Sequence, residues 1–373
     1  MLTRPTFTSR KPRSDDKSMR FGVFWPYSRT QIPSAHISAL NPDFLDLDAH
    51  MRLARTLEEV GMDFVLIADG YASQSERGSE IGYQDPSSHA ILWAVPLLMA
   101  TKHMGVVSTM HTTYLHPVHL ARFGAHLDFI GSGRWGWNIV TGFRDIEARL
   151  FGLEDLGTHE SRYSQAEEAV RLVKRLWSNP VIDHQGDHFT VRGRMRGPVP
   201  PEMPLLVSAA SSEVGRSFAV AHCDYLFAGP SDFEDGPGIV ADVGEKAARA
   251  GRAEPPKVLI LADIFVRDEP GAARREYDDL LGAVDEGSYR IMEKQFARVA
   301  HNGKKPGVSP YVVGTVEEVV EQIVAICELG QAEGMLFRMP LWHLAEAERL
   351  KAVFARLSET SVWSPPESRK FSW

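Results

Sequence analysis

Short apolar runs, bounded by polar or Gly/Pro-rich turns, recur along the chain and set its expected architecture. Eight of them read as buried strands: 21–25, 64–67, 105–109, 135–140, 205–208, 225–228, 258–261 and 334–337. Most are too short for helices. Between them the apolar positions change to helical spacing. Leu47, Met51, Ala54, Leu57 and Val60 form one stripe, and Ala166, Ala169, Val170, Val173, Leu176 and Trp177 form another. Val316, Val319, Val320, Ile323, Val324 and Cys327 form a third. Eight strands interleaved with helices predict an α/β chain folded as a (β/α)8 TIM barrel with insertions at its C-terminal face. An open doubly wound sheet is the rival, but no Gly-x-Gly-x-x-Gly turn follows an early strand.

The same pattern divides the chain. Residues 1–18 are polar and basic and lack an apolar signal core, so they read as a disordered tail ahead of Met19 and the first strand. Asp15 and Asp16 speak against a transit peptide. A single barrel domain is expected over 19–357, with a charged, lid-like insertion at about 268–312. The C-terminal tail, 358–373, is either loose or laid across a neighbouring subunit. Residues 69–88 and 141–165 are long connections after the second and fourth strands, where a barrel carries its active-site loops.

Composition narrows the function classes. Of 373 residues, 43% are hydrophobic and 24% charged, as in an ordinary globular protein. The net charge of −8 removes a bulk electrostatic case for nucleic acid. No apolar run approaches the roughly 18 residues of a membrane span, so no membrane partner is expected. Cys223 and Cys327 are too few for a disulfide scaffold and lack zinc spacing, which suits a reduced, cytoplasmic setting. There is no Gly-x-Ser-x-Gly elbow and no Walker loop.

Several residues could carry chemistry. Asn138 lies near the end of the fourth strand and offers both a donor and an acceptor. Its plainer role is to satisfy a loop backbone. Thr109 and His111 share one face of the third strand. Thr109 could hold a small polar ligand or merely bond a neighbouring carbonyl. His111, His116 and His119 lack an acidic partner at ligand spacing, so no metal is expected. Arg162 and Tyr163 open a helix and could clamp a phosphate. Ser208-Ala209-Ala210-Ser211-Ser212 runs into another helix, whose free N–H groups would suit an anion. A solvated Arg and an ordinary Ser cap are the alternatives there. The acidic pairs Glu167-Glu168 and Glu317-Glu318 read as solvated helix faces.

Taken in order, these segments carry a resemblance. Gly133-Arg134-Trp135-Gly136-Trp137-Asn138-Ile139-Val140-Thr141-Gly142, then Glu147-Ala148-Arg149-Leu150-Phe151-Gly152, then Arg162-Tyr163 with Leu176-Trp177, and finally Val313-Gly314-Thr315-Val316-Glu317-Glu318, resemble the bacterial luciferase-like flavin monooxygenases. The resemblance covers most of 20–357. It is nearest to the pyrimidine monooxygenase and dibenzothiophene-sulfone monooxygenase branches. It implies a barrel that takes reduced FMN (FMNH2) from a separate NAD(P)H:flavin reductase and uses O2, through a flavin peroxide, on a small heterocyclic or sulfone substrate. It also implies a homodimer or homotetramer.

By the same resemblance, Thr109, beside O2, and Asn138, near flavin N5, are the catalytic pair. Ala68, Asp69, Asn138, Glu147, Arg162, Tyr163 and Ser212 would contact the cofactor, with Arg162, Tyr163 and Ser212 on the phosphate. Trp25, Tyr27, His111 and Trp137 would line the substrate pocket, with Met110 helping to exclude water. The chain departs from both branches at Phe143, where the pyrimidine group tends to have Trp, and at Trp25-Pro26-Tyr27. Two alternatives within the superfamily are an F420-dependent hydride-transfer enzyme and a riboflavin-cleaving one. A non-catalytic flavin-binding protein is a third reading.

Overall fold

Eight parallel strands close into a ring in the computed structural model, which describes residues 19–230, 232–297 and 309–366. The ring begins with β1 (Arg20–Phe24), β2 (Phe64–Ile67), β3 (Gly105–His111) and β4 (Trp135–Val140). A hairpin, β5 (Val181–Gln185) and β6 (Thr190–Arg194), stands outside it. The ring continues with β7 (Leu205–Ala209), β8 (Tyr225–Ala228) and β9 (Lys257–Val266). Strand β10 (Tyr311–Gly314) pairs with the far half of β9 and does not enter the ring. Strand β11 (Gly334–Arg338) lies between β9 and β1 and completes the closure. The predicted (β/α)8 barrel is therefore present.

Helices fill the crossovers. After β1 come α1 (Ala35–Leu40) and α2 (Leu47–Val60), and after β2 come α3 (Glu76–Glu80) and α4 (Ala90–Ala100). Helix α5 (Pro117–Ile130) follows β3, while α6 (Asp145–Leu150) and α7 (His159–Ser178) follow β4. Helices α8 (Glu213–His222) and α9 (Gly236–Arg249) flank β8. The long crossover from β9 to β11 holds α10 (Ala272–Gly282), α11 (Glu286–Ala297) and α12 (Val316–Glu328), and α13 (Leu344–Leu357) ends the series. The three stripes read from the sequence correspond to α2, α7 and α12. Among the described residues, no helix is long and apolar enough to cross a membrane.

A barrel strand is covered on both faces, so its residues divide between lumen and helical layer. Phe24, Phe64, Leu66, Val107, Leu205, Val207, Tyr225, Phe227, Leu259 and Leu336 form the cluster in the lumen. Gly22 leaves room for the Phe64 ring, since a Cβ there would lie 2.5 Å from it. Trp135 and Trp137 face outward and meet Trp177 of α7 edge-on, with centroids 6.2 and 6.4 Å apart.

The chain ends are reached by packing as well. Gly61 closes α2 in a left-handed conformation (φ 95°). A side chain at Gly61 would collide with Trp363, whose ring meets Phe354 edge-on at 5.0 Å. Met19 N–H donates to the Val362 carbonyl over 2.9 Å. Residues up to 366 of the expected C-terminal tail are thus seated on the barrel, while 1–18 and 367–373 lie outside the described residues. Within the 268–312 segment, Asp285 pairs with Arg77 at 2.9 Å, and the Tyr83 hydroxyl meets Met292 Sδ at 3.1 Å. These contacts tie α11 to the connection after β2. Residues 298–308 of that segment also lie outside the described residues.

Candidate active site

Parallel closure sends the ends of β2, β3 and β4, and the loops after them, to one mouth of the barrel. Thr109 and Asn138 are register partners on β3 and β4. Both are buried, at 2% and 4% exposure. Asn138 Nδ2 donates to Thr109 Oγ1 over 2.9 Å, and Thr109 Oγ1 donates to the Ile67 carbonyl over 2.8 Å. The plainer role foreseen for Thr109, a bond to a strand carbonyl, is thus real. It coexists with a contact to the candidate amide.

The next group comes from the loops. Glu147 on α6 is 1% exposed, pairs with Arg144 and accepts from the Tyr71 N–H over 3.1 Å. Gly70 eases the close approach, because a Cβ there would sit 3.0 Å from both Arg144 Nη2 and Glu147 Oε1. Asp69 lies beside them, two residues past the end of β2. Its carboxylate accepts from Gly70 N–H (2.9 Å) and Ala90 N–H (3.1 Å), yet burial still pushes its pKa up to about 6. Ala68, next to it, is half-buried against the core.

His111 sits two residues beyond Thr109 on the same face and is 3% exposed. Burial holds its pKa down to about 4, so the ring is neutral near pH 7. The Asp69 backbone lies near enough to favour its charged form slightly, but neither ring nitrogen makes a hydrogen bond of good geometry. The Tyr71 and Tyr114 rings lie 5.2 and 5.4 Å from it, and Tyr114 stacks on Phe151 at 4.3 Å. Tyr27 meets the lumen residue Phe24 edge-on at 6.2 Å. Burial raises its hydroxyl pKa strongly, with Asp69 and Arg144 among the charges that it feels.

A second junction forms where α7 meets α8. Arg162, 7% exposed in the first turn of α7, donates through Nη1 to the Gly157 carbonyl over 2.8 Å. The Tyr163 hydroxyl lies in hydrogen-bonding reach of Ser212 and Thr141. Ser212 caps α8, its Oγ accepting from Gly215 N–H over 3.1 Å. Gly215 is needed for this meeting, since a Cβ there would fall 2.5 Å from the Tyr163 oxygen. Tyr114 feels Glu147, Arg144 and Arg162 together, which links the two junctions.

Two expected pocket residues stand elsewhere. Trp25, just past β1, and Trp137, on the outer face of β4, are fully buried in the core cluster around the barrel. The Trp25 ring lies 5.6 Å from His50 of α2, and Trp137 Nε1 donates to the Met110 carbonyl over 3.1 Å. They and Met110 support the wall from behind and do not line the mouth. Conversely, Arg144, Tyr71 and Tyr114 escaped the sequence reading. The available signal was Arg144 three residues before Glu147, within a loop already too long for a simple connection. His116 serves as the N-cap of α5, and among the described residues no group of His, Cys, Asp or Glu is arranged to hold a metal.

Several of the buried side-chain polar atoms without a hydrogen-bond partner lie here. They include Asn138 Oδ1, both His111 nitrogens, Tyr114 Oη, Glu147 Oε2, Arg144 Nε and Nη1, and Arg162 Nε. An unsatisfied buried group costs about 1–3 kcal/mol. Six residues carrying such atoms at one barrel mouth describe a polar ligand site. The donor set fits FMN: a guanidinium, a hydroxyl and a helix N-terminus for a phosphate, then carboxylate and amide acceptors farther in.

The sequence profile of the luciferase-like monooxygenase family matches residues 19–333. The chain belongs to that family. Nitrilotriacetate monooxygenase component A of Aminobacter aminovorans is 31% identical to this luciferase-like protein over 305 residues, which are 72% of this chain and 67% of the relative. Dibenzothiophene-sulfone monooxygenase of Rhodococcus erythropolis is 29% identical over 67% of this chain and 61% of its own. A pyrimidine monooxygenase of Cronobacter turicensis is also a relative, at 25% identity over 80% of this chain and 78% of its own. This chain thus spans about two thirds of the length of the first two. A solved riboflavin lyase, with modified FMN and riboflavin, superposes with a TM-score of 0.84 over 93% of each chain. At 24% identity that likeness speaks to the barrel alone.

Taken alone, the buried His111 makes the stability of this luciferase-like protein fall in acid. An unfolded His protonates near pH 6.5, whereas the folded ring resists until about pH 4. Between these values the unfolded chain holds the extra proton. Stability therefore falls as the pH is lowered through this window, by on the order of 3 kcal/mol from this group. Asp69 acts oppositely, because below about pH 6 its folded carboxyl takes the proton first. Urea unfolding at pH 6.5 and 5 should show His111→Phe losing less stability than wild type. Equal losses would mean that the folded His111 titrates freely.

Proposed function

We propose that this chain is the oxygenating component of a two-component monooxygenase. It receives FMNH2 from a separate flavin reductase and uses O2 to oxidise or cleave a small heterocyclic or sulfone substrate. Its relatives are monooxygenases, which supports an oxidoreductase. The observation that carries the reading is the cluster of unpartnered buried polar atoms at the mouth, beside the Tyr163–Ser212 junction.

Bound reduced FMN would supply the electrons that activate O2. The chain's own residues bind, orient and exclude water. Arg162 Nε, Tyr163, Ser212 and the start of α8 would hold the phosphate. Glu147 Oε2 is an acceptor for hydroxyl groups, and Asn138 Oδ1 is an acceptor for a ring N–H. Phe24, Tyr27, Tyr71 and Phe151 present rings at the mouth, where a flat substrate can stack and water is displaced. Neutral His111 offers one hydrogen-bond donor and one acceptor to a ligand. Thr109 is committed to Ile67 and Asn138, so its part is to hold the amide. A homodimer or homotetramer belongs to the same proposal, and the exposed Leu92 and Met99 of the apolar helix α4 support it.

The test combines the protein with a flavin reductase, NADH, FMN and labelled O2, and offers pyrimidines, aryl sulfones and riboflavin. The expected result is one labelled oxygen atom in a product that forms only when reductase, FMN and protein are all present. Turnover of an alcohol with F420 in its place, and none with FMNH2, would move the chain to the hydride-transfer class.

A further inference from the structure

The wall of the mouth opposite Asn138 carries a buried charged pair. Strands β4 and β11 stand four places apart in either direction around the ring. Arg338 ends β11, two residues beyond the lumen residue Leu336, so it faces inward. Its register partner on β9 is Asp263, which shares the inward face with Leu259. Arg338 Nε and Nη2 donate to the two Asp263 carboxylate oxygens over 2.6 and 2.9 Å, and the Tyr277 hydroxyl donates to Asp263 over 2.8 Å. The Asp263 side chain is 1% exposed, whereas that of Arg338 keeps 14%. Both Nη1 hydrogens and one on Nη2 take no partner among the described residues. Tyr27 and Tyr83 feel the Arg338 charge. Phe24, level with Arg338 on the neighbouring β1, stacks on Phe227 at 6.0 Å. The guanidinium thus stands beside an apolar floor with N–H groups to spare.

We infer that Arg338 is a substrate-anchoring residue that selects an uncharged molecule with an acceptor oxygen, a carbonyl or sulfonyl, over a carboxylate or sulfonate of the same shape. This names a substrate class for the proposed oxygenation and rests on that reading. A guanidinium N–H makes a charge-assisted bond to such an oxygen. An anion gains less there, because Asp263 already balances the cation and repels a second negative charge. Arg144, on the β2 and β4 side of the mouth, is balanced in the same way by Glu147. A pair that merely pinned β9 to β11 would carry no such preference.

The experiment measures dissociation constants, in the presence of FMN, for two matched pairs of probes: benzamide with benzoate, and methyl phenyl sulfone with benzenesulfonate. Wild type should bind each neutral probe at least tenfold more tightly than its anionic partner. Asp263→Asn leaves the Arg338 charge unbalanced and should narrow or reverse that ratio by tenfold or more, with FMN affinity unchanged. Arg338→Met combined with Asp263→Leu replaces the pair by apolar side chains, a change that buried ion pairs commonly tolerate. It should weaken the neutral probes by ten- to a hundredfold, the worth of one hydrogen bond to a charged group. A wild type that prefers the anions or binds no neutral probe, an unmoved ratio in Asp263→Asn, or full neutral-probe affinity in the double variant would overturn the anchor. If Asp263→Asn does not fold, the double variant decides. FMN titrated in the same samples keeps the two readings apart. Selective probe binding without FMN binding would remove the flavin reading and leave the selectivity standing, whereas lost selectivity with FMN bound would remove the anchor alone.

Discussion

Arg162→Ala is expected to weaken FMN binding by roughly ten- to a hundredfold while leaving riboflavin binding nearly unchanged. A charge-assisted hydrogen bond to phosphate is worth about 1.5–3 kcal/mol, which is that range in affinity. Arg162 is suited to the task because one face of its guanidinium is already anchored. Nη1 donates to Gly157, which leaves the buried Nε for a ligand. The same anchor creates the competing explanation that alanine simply loosens the turn before α7. Riboflavin separates the two, since it carries the same rings and ribityl chain without the phosphate. A parallel loss of both ligands would make Arg162 a loop residue. Arg162→Lys should recover only part of the affinity, because an ammonium keeps the charge but loses the planar fork.

Asn138→Ala should do the opposite kind of damage. FMNH2 binding is expected to hold to within about tenfold, since the phosphate grip is intact, while the yield of oxidised substrate per FMNH2 falls by ten- to a hundredfold and hydrogen peroxide rises. The reason is geometric. Asn138 is the buried amide beside Thr109 at the mouth, and removing it takes away a fixed acceptor and opens a space for water where the ring would sit. Losses of this size follow when one preorganised polar group is deleted from an active site. Measuring product and peroxide in the same reaction gives the coupling directly. An unchanged yield per FMNH2 would remove Asn138 from the chemistry.

The barrel was legible because its strands are buried on both faces, and so appear as unbroken apolar runs separated by helical stripes. That continuity also hides which side of each strand faces the lumen. In Trp135-Gly136-Trp137-Asn138 nothing in the apolar pattern says that both tryptophans face α7 and Asn138 faces inward. For the same reason the sequence does not show that Trp25 and Trp137 pack into the outer core cluster. The β5–β6 hairpin was missed because only Ile182 and Val191 within it are buried, too few to mark a strand pair. Strand β10 is a four-residue addition to β9, lying at the end of a segment read as an insertion. Arg144, Tyr71 and Tyr114 sit in loops with no period to betray them. Gly70 leaves room for Arg144 and Glu147 to come close to the connection after β2. Arg162, Tyr163 and Ser212 were easier to find, because helix starts have a chemical signature of their own.

The most direct test is a crystal structure of the protein soaked with FMN. The account predicts the phosphate between Arg162, Tyr163 and Ser212, with the ring system over the ends of β3 and β4 and its N5 edge toward Asn138. Density for the nucleotide at another face of the barrel, or none at a concentration that saturates binding in solution, would contradict it.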